Sequence, residues 1–173
     1  MPPPCQVHQN PSLRMSLRIP LPSVHDAVAA CPEKYMLTLT TRRSLDGIAM
    51  SQAVGEMLHR LNRALFGTAY TKHRKIRLAV LAIQEFSYSQ ELHTHAVIGI
   101  PADGRRCKAF PTTASIEELI ISIWCSLDHG GEPQAQDIQP IYDLMGACRY
   151  ITKTIYNPRS LDRIDINNCN IPL

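Results

Sequence analysis

The chain has 173 residues, 45% of them hydrophobic and 19% charged, with a net charge of +3. These values predict a soluble globular domain with its own core, and the small net charge does not by itself indicate a polyanionic partner. The six cysteines form no Cys-x-x-Cys pair, which argues against a zinc knuckle and a disulfide framework. No signal-peptide core or membrane-length apolar run is present, so we expect a cytoplasmic protein with no membrane partner.

The first elements follow from proline spacing and apolar periodicity. Residues 1–33 are rich in proline, which predicts an extended N-terminal arm without a long helix. Residues 34–41 alternate in polarity and predict the first strand. Apolar residues then recur at helical spacing up to residue 66, with Asp46 as the expected N-cap and Gly67 as the expected end.

The middle of the chain predicts a β-hairpin. Residues 77–86 are apolar on both faces, which is typical of a central strand. A polar turn at 87–92 and a second apolar run at 93–100 follow. Because the two strands are adjacent in sequence, we expect them to pair antiparallel.

The last third of the chain predicts two helices and a short strand. Ser115 and Glu118 have the spacing of a capping box, so a helix begins there and ends before His129. Residues 137–141 predict an edge strand containing Pro140, and 143–155 predict a helix. The order of elements indicates an α+β fold, with a central antiparallel sheet and flanking helices in one domain at 34–157. The tail, 158–173, is predicted to be irregular.

Two basic clusters flank the predicted strands beside the hairpin. Their position favours contact with phosphate groups, although solvated turns are the alternative. The candidate nucleic-acid contacts are Lys72, Arg74, Lys75, Arg105, Arg106 and Lys108.

Two histidines begin the 93–100 strand. His93 and His95 are two residues apart, so both imidazoles project from one face, while Thr94 projects from the other. Paired imidazoles on a rigid strand are typical metal ligands. The alternative is a pair of half-buried histidines that are hydrogen-bonded at a sheet edge.

A carboxylate near the end of the preceding strand is the candidate third ligand. Glu85 reaches the histidine face only if the hairpin pairs it with His93 or His95, and a slip of one residue would present Gln84 instead. Glu91 in the turn is another candidate.

The predicted last helix carries a candidate nucleophile. Tyr150 and Lys153 are three residues apart and therefore share a helix face. A tyrosine can attack a phosphodiester when nearby positive charge assists it. Tyr142 and Tyr156 are rival nucleophiles, and a packed tyrosine beside a solvated lysine is the structural alternative.

These motifs resemble those of the HUH endonuclease superfamily, which includes rolling-circle replication initiators, conjugative relaxases and single-tyrosine transposases. The strand segment 37–41 resembles the first family motif, His93-Thr94-His95 the histidine motif, and Tyr150-Ile151-Thr152-Lys153 the tyrosine motif. The resemblance covers about residues 35–156 and implies a ferredoxin-like or RRM-like nuclease sheet. Thr94 departs from the bulky apolar residue usual at that position.

The resemblance implies a metal-dependent nickase of single-stranded DNA, acting on an origin or a hairpin. Glu85, His93 and His95 would hold Mg²⁺ or Mn²⁺, Tyr150 would form a covalent 5′-phosphotyrosine, and Lys153 would assist. The expected role is initiation of rolling-circle replication or mobilisation of a phage, plasmid or transposable element. No helicase domain follows, so a separate helicase is an expected partner.

Two other functions fit part of the pattern. A non-catalytic nucleic-acid-binding module could use the same fold, although few aromatic residues are available on the strands for base stacking. A zinc hydrolase would need a further ligand, and Val97 stands where His-x-His-x-Asp would require an aspartate.

Overall fold

The computed structural model of the chain describes residues 21–72, 76–86, 91–102, 115–153, 155 and 158–170. None of the helices in these ranges is both long and apolar enough to cross a membrane. The elements are α1 (Leu21–Ala29), β1 (Glu33–Leu39), α2 (Gly47–Phe66), α3 (Thr68–Lys72), β2 (Ala79–Phe86), β3 (Leu92–Ile100), α4 (Ile116–Cys125), β4 (Asp137–Pro140) and α5 (Leu144–Thr152), with 3₁₀ helices at Pro133–Ala135 and Pro158–Arg163.

The four strands form one antiparallel sheet in the order β2-β3-β1-β4. The predicted α+β fold with a central antiparallel sheet and flanking helices is therefore confirmed. The β2–β3 hairpin and the edge strand β4 lie where the sequence predicts them. Both helix caps predicted from the sequence are also present. Asp46 accepts a hydrogen bond from the amide of Ala49, and Ser115 and Glu118 form a reciprocal capping box.

Hydrophobic side chains cover both faces of the sheet. On one face, α2 and α4 pack through residues such as Met57 and Trp124 against Leu37 and Ile98. The opposite face is covered by α1 and α5, whose Val28 and Ile151 belong to a second cluster with Ile83 and Val97. Alternation along β3 therefore sends its two sets of side chains into two different cores.

The N-terminal arm is not extended throughout. Residues 21–29 form α1, whose Pro22 lies in the first turn, where its missing N–H removes no intrahelical hydrogen bond. Val28, near the end of α1, and Cys31, just beyond it, are buried against the sheet. A Cβ on Gly99 of β3 would lie 2.8 Å from Cys31 Sγ, so glycine permits this close approach. The rest of the predicted arm, 1–20, lies outside the described residues.

The prediction that residues 77–86 form a central strand is wrong in one respect. In the sheet order, β2 is an edge strand that pairs only with β3 among the four strands. Its outer edge pairs instead with the C-terminal tail: Val80 and Asn170 exchange backbone hydrogen bonds, and the Asp165 amide donates to Ala82. The strand is apolar on both faces because helices cover both faces, and the tail covers its edge.

Two helix boundaries also differ from the predictions. α5 ends at Thr152, three residues before the predicted limit of 155, and α3 follows Gly67 where the sequence predicts no helix. Gly67 has a φ of 56°, a conformation that glycine adopts readily, and this allows the chain to leave α2 and begin a new turn.

The tail is fastened to α2 by a buried carboxylate, which generates a stability prediction. Asp165 is 5% exposed and accepts hydrogen bonds from Ser51 Oγ at 2.7 Å and from Asn168 Nδ2 at 2.6 Å. We expect Asp165→Ala to lower the free energy of unfolding by about 2 kcal/mol, because both donors lose a charged acceptor. Urea denaturation measures this, with the exposed Asp162→Ala as control. Equal losses in the two variants would contradict the assignment.

Candidate metal centre and the neighbouring tyrosine

The register of the β2–β3 hairpin selects the carboxylate. Glu85 pairs directly with His93, whereas Gln84 pairs with Thr94. The Gln84 side chain projects to the opposite face, where its amide donates to the backbone oxygen of Gly47 at 2.9 Å. Glu85 therefore shares a face with the two histidines, and Gln84 does not.

Three ligand atoms converge on this face. One from each of Glu85, His93 and His95 lies within 4.8 Å of the others. Glu85 Oε2 is 3.2 Å from His95 Nε2, and the Nε2 atoms of the two histidines are 3.2 Å apart. The two imidazole planes are nearly perpendicular, at 88°, so their nitrogens meet without ring stacking.

The chemistry of this cluster fits a divalent cation. Glu85 Oε2 is buried and, within the described residues, accepts no hydrogen bond of acceptable geometry, although His95 and Lys153 lie near it. A buried carboxylate oxygen without a hydrogen-bond donor destabilises the folded protein unless a cation binds it. Two imidazoles and one carboxylate form a familiar ligand set that leaves coordination positions open. The three residues could therefore hold a metal ion, and the ligand set does not select one metal.

A threonine from the neighbouring strand holds His95. Thr38 pairs with His95 in the β1–β3 register, and its hydroxyl lies 3.1 Å from His95 Nδ1. This contact occupies Nδ1 and leaves Nε2 directed at Glu85 and His93. Sequence reasoning placed Thr38 only within a strand, because its role depends on a strand pairing that no local pattern reveals.

Burial governs the charge of His95. The residue is 3% exposed, and burial lowers its pKa below the ordinary 6.5, with His93 and Lys153 acting in the same direction. Glu85 opposes this shift, since a neighbouring carboxylate favours the imidazolium. The net direction is downward, so His95 is neutral at neutral pH, and the neutral imidazole is the form that binds metals.

The tyrosine and lysine of α5 lie beside the cluster. The Tyr150 and His95 ring centroids are 5.5 Å apart. Lys153 Nζ lies 4.0 Å from the Tyr150 ring centroid and 3.7 Å from Glu85 Oε2. Ile151, which lies between Tyr150 and Lys153 in the sequence, is fully buried against the sheet and fixes α5 in this position. Tyr150 itself is 46% exposed, so its ring contacts the cluster while remaining open to solvent.

The structure describes two of the three rival residues, Tyr142 and Glu91. Tyr142 precedes α5 and is 95% exposed, while Tyr156 lies outside the described residues. Glu91 meets the site through its backbone oxygen, 3.5 Å from His93 Nδ1, and its carboxylate is not one of the three clustered ligands. Thr94 is fully buried in the opposite core, and its hydroxyl has no hydrogen-bond partner in the described part of the chain.

Most of the predicted basic contacts cannot be placed. Arg74, Lys75, Arg105, Arg106 and Lys108 lie outside the described residues, and Lys72 is exposed at the end of α3. The structure shows another polar surface with two arginines that the sequence does not indicate. A cleft of about 110 Å³ adjoins the metal centre and is lined by Thr40, Thr41, Arg42, Arg43, Ser44, Glu91, Leu92 and His93.

The Thr38 contact generates a prediction about metal affinity. We expect Thr38→Val to weaken Mn²⁺ binding about tenfold, because the imidazole of His95 loses the hydroxyl that orients it. Equilibrium titration followed by electron paramagnetic resonance of free Mn²⁺ measures the change. Thr71→Val, on the exposed helix α3, is the matched control. An unchanged affinity in Thr38→Val would show that this contact does not orient a ligand.

The lowered pKa of His95 predicts a pH-dependent stability of the metal-free protein. Because the unfolded chain binds a proton at this residue more readily, stability falls as pH drops from about 6.5 through the folded pKa. The slope reaches at most about 1.4 kcal/mol per pH unit. Urea unfolding in the presence of chelator should show a shallower pH dependence for His95→Gln than for the wild type, with the exposed His59→Gln measured in parallel as a control. Parallel curves for wild type and His95→Gln would contradict this.

Comparisons with known proteins identify no family for the chain. No family model and no curated protein matches it. A solved structure that resembles it is the crystal structure of the hypothetical protein ORF119 from Sulfolobus islandicus rod-shaped virus 1, with 15% sequence identity and a TM-score of 0.43. The match covers 80% of this chain and 96% of the viral protein. A similarity of this size supports no argument about function.

Proposed function

We propose that the protein is a metal-dependent enzyme that nicks and rejoins single-stranded DNA through a covalent 5′-phosphotyrosine. The observation that carries this proposal is the position of Tyr150, whose ring lies 5.5 Å from that of His95 in the candidate metal centre. The expected role is initiation of rolling-circle replication or mobilisation of a phage, plasmid or transposable element.

Tyr150 is the proposed nucleophile. Its phenolic oxygen would attack the scissile phosphorus, and the bond from phosphorus to the 3′ oxygen would break. The 5′ phosphate then remains on the tyrosine, and the proton that the phenol gives up on attack balances the one that the leaving 3′ oxygen takes up to become a hydroxyl. Attack by another 3′ hydroxyl reverses these steps and rejoins the DNA. The exposure of Tyr150 supports this role, because a substrate must reach the phenol.

The residues around Tyr150 supply charge and orientation. Held by Glu85, His93 and His95, Mg²⁺ or Mn²⁺ would act as a Lewis acid toward the phosphate oxygens. Lys153 lies beside the tyrosine ring and can offset negative charge that develops on the phosphate. Thr38 and the hydrophobic surroundings keep His95 oriented and neutral.

The cleft beside His93 provides a path for the DNA backbone. Arg42 and Arg43 line this cleft next to a proposed metal ligand, and the Arg42 guanidinium also lies 3.5 Å from the Glu132 carboxylate. Arginine binds phosphate oxygens with two parallel hydrogen bonds, which suits a substrate that carries one charge per nucleotide. The sequence-predicted contacts Lys72, Arg74, Lys75, Arg105, Arg106 and Lys108 remain candidates for binding phosphate groups, and a separate helicase would supply the single strand.

Replacement of the tyrosine tests the assignment. We expect Tyr150→Phe to abolish the covalent DNA adduct, because phenylalanine has no hydroxyl to bond to phosphorus, while metal binding is retained. The measurement is denaturing electrophoresis after incubation with labelled single-stranded DNA and Mn²⁺. Tyr142→Phe and Tyr156→Phe are compared in parallel as the rival nucleophiles. An adduct that survives Tyr150→Phe would overturn the assignment, and its disappearance in either rival variant would identify the nucleophile.

The same experiment separates the enzyme from a non-catalytic binding module. A module would bind the DNA without forming an adduct in any variant, and chelation of the metal would not affect its binding. A metal-dependent enzyme forms no adduct when EDTA is present from the start of the incubation. Because an origin sequence is unknown, the substrate is a pool of single-stranded oligonucleotides that includes hairpins, and captured protein–DNA adducts are sequenced.

A further inference from the structure

We propose that Lys153 is the counter-ion of Glu85 in the metal-free protein, and that it gives up this carboxylate when a divalent cation binds. Lys153 would then pass from a position that contacts both Glu85 and Tyr150 to one that contacts Tyr150 alone. The inference rests on the proposed metal-dependent function and adds a competition that sets how tightly the metal binds.

The first observation is that Lys153 already contacts the ligand oxygen. Its Nζ lies 3.7 Å from Glu85 Oε2, the same oxygen that faces His95 at 3.2 Å. The Glu85 side chain is only 14% exposed, so its charge is largely removed from water. Among the lysines and arginines that the structure describes, Lys153 is the one placed within 4.0 Å of this carboxylate. It therefore provides the charge that a buried carboxylate requires.

The second observation is that the same carboxylate oxygen of Glu85 lies both beside Lys153 and in the ligand cluster. Glu85 supplies a ligand atom to the cluster in which all ligand atoms lie within 4.8 Å, and its Oε2 is the atom next to both His95 and Lys153. An ammonium and a divalent cation on this small carboxylate would repel each other strongly at such short range. Binding of the cation and retention of the Lys153–Glu85 contact therefore oppose each other.

The third observation is that Lys153 lies at the end of α5 with a partly exposed side chain. It is the C-cap of α5, beyond the last helical residue, and its side chain is 39% exposed. A flexible four-carbon side chain at a helix end can swing without disturbing Ile151, which anchors the helix. Its ammonium is already 4.0 Å from the Tyr150 ring centroid, so leaving Glu85 keeps it beside the nucleophile.

This arrangement couples metal binding to substrate binding. In the absence of DNA, the metal must compete with Lys153 and binds weakly. When a phosphate lies beside Tyr150, it offers Lys153 a new anionic partner, and the competition for Glu85 is relieved. The protein would therefore bind metal and single-stranded DNA with positive cooperativity, because each ligand favours the state in which Lys153 has left Glu85.

The direct test is Mn²⁺ affinity without DNA. We expect Lys153→Met to bind Mn²⁺ about tenfold more tightly than wild type, because an ammonium charge has been removed from the ligand oxygen. Lys153→Arg keeps the charge and should bind no more tightly than wild type. Arg60→Met is the matched control, because it removes one cation from an exposed carboxylate, Glu56, on another surface. Free Mn²⁺ is followed by electron paramagnetic resonance on the full chain.

A double-mutant cycle identifies the carboxylate involved. In a Glu85→Gln background all affinities are weaker, but Lys153→Met should no longer tighten binding, because the shared oxygen carries no charge. A similar tightening with and without Glu85 would show that Lys153 acts only through the general positive potential and would overturn the inference.

The outcomes separate this inference from the proposed function. Equal or weaker Mn²⁺ binding by Lys153→Met, or no Mn²⁺ binding by any variant, overturns the inference. Tighter binding that depends on Glu85 supports it, even where no variant forms a DNA adduct. In that case the metal competition is established and the proposed nicking reaction is wrong.

Discussion

The pairing of Glu85 with His93 across the β2–β3 hairpin is the constraint on which the candidate site depends. Because side chains alternate along a strand, this register puts Glu85, His93 and His95 on one face and sends Gln84 and Thr94 to the other. The register is held firmly, since both faces of these strands are buried. A slip by one residue would exchange the contents of two hydrophobic cores, so the same packing that stabilises the sheet also assembles the three ligands.

The groups that surround the cluster act on its ligands in different ways. Thr38 orients His95 from the next strand, burial keeps that imidazole neutral, and Lys153 balances Glu85 from α5. Thr38 lies on β1, His95 on β3 and Lys153 at the end of α5. The site is therefore sensitive to the position of α5 on the sheet, which Ile151 secures through the second hydrophobic cluster.

The C-terminal tail links the hairpin to the rest of the domain. It pairs with the outer edge of β2 and reaches α2 through Asp165 and Ser51. An exposed edge strand invites pairing with other chains, and the tail covers part of this edge. Since β2 carries Glu85, the tail also supports the strand that supplies the third ligand. This part of the chain, which has no regular periodicity, contributes to the stability of the site through the hydrogen bonds that follow its 3₁₀ helix.

Local patterns in the sequence determined the α+β fold class, the hairpin, the caps at Asp46 and Ser115, and the projection of His93 and His95 from one face, because these depend on neighbouring residues. Tertiary structure decided what depends on distant residues. The pairing of Glu85 with His93 follows from packing on both faces of the hairpin, and the contact of Thr38 with His95 follows from a strand pairing between distant segments. The position of Tyr150 and Lys153 beside the cluster required α5 to dock on that face. Helix α1 and the covered edge of β2 were missed for the same reason: burial against the sheet outweighs a proline-rich composition, and hydrogen bonds to a strand edge leave no periodic signal in the tail.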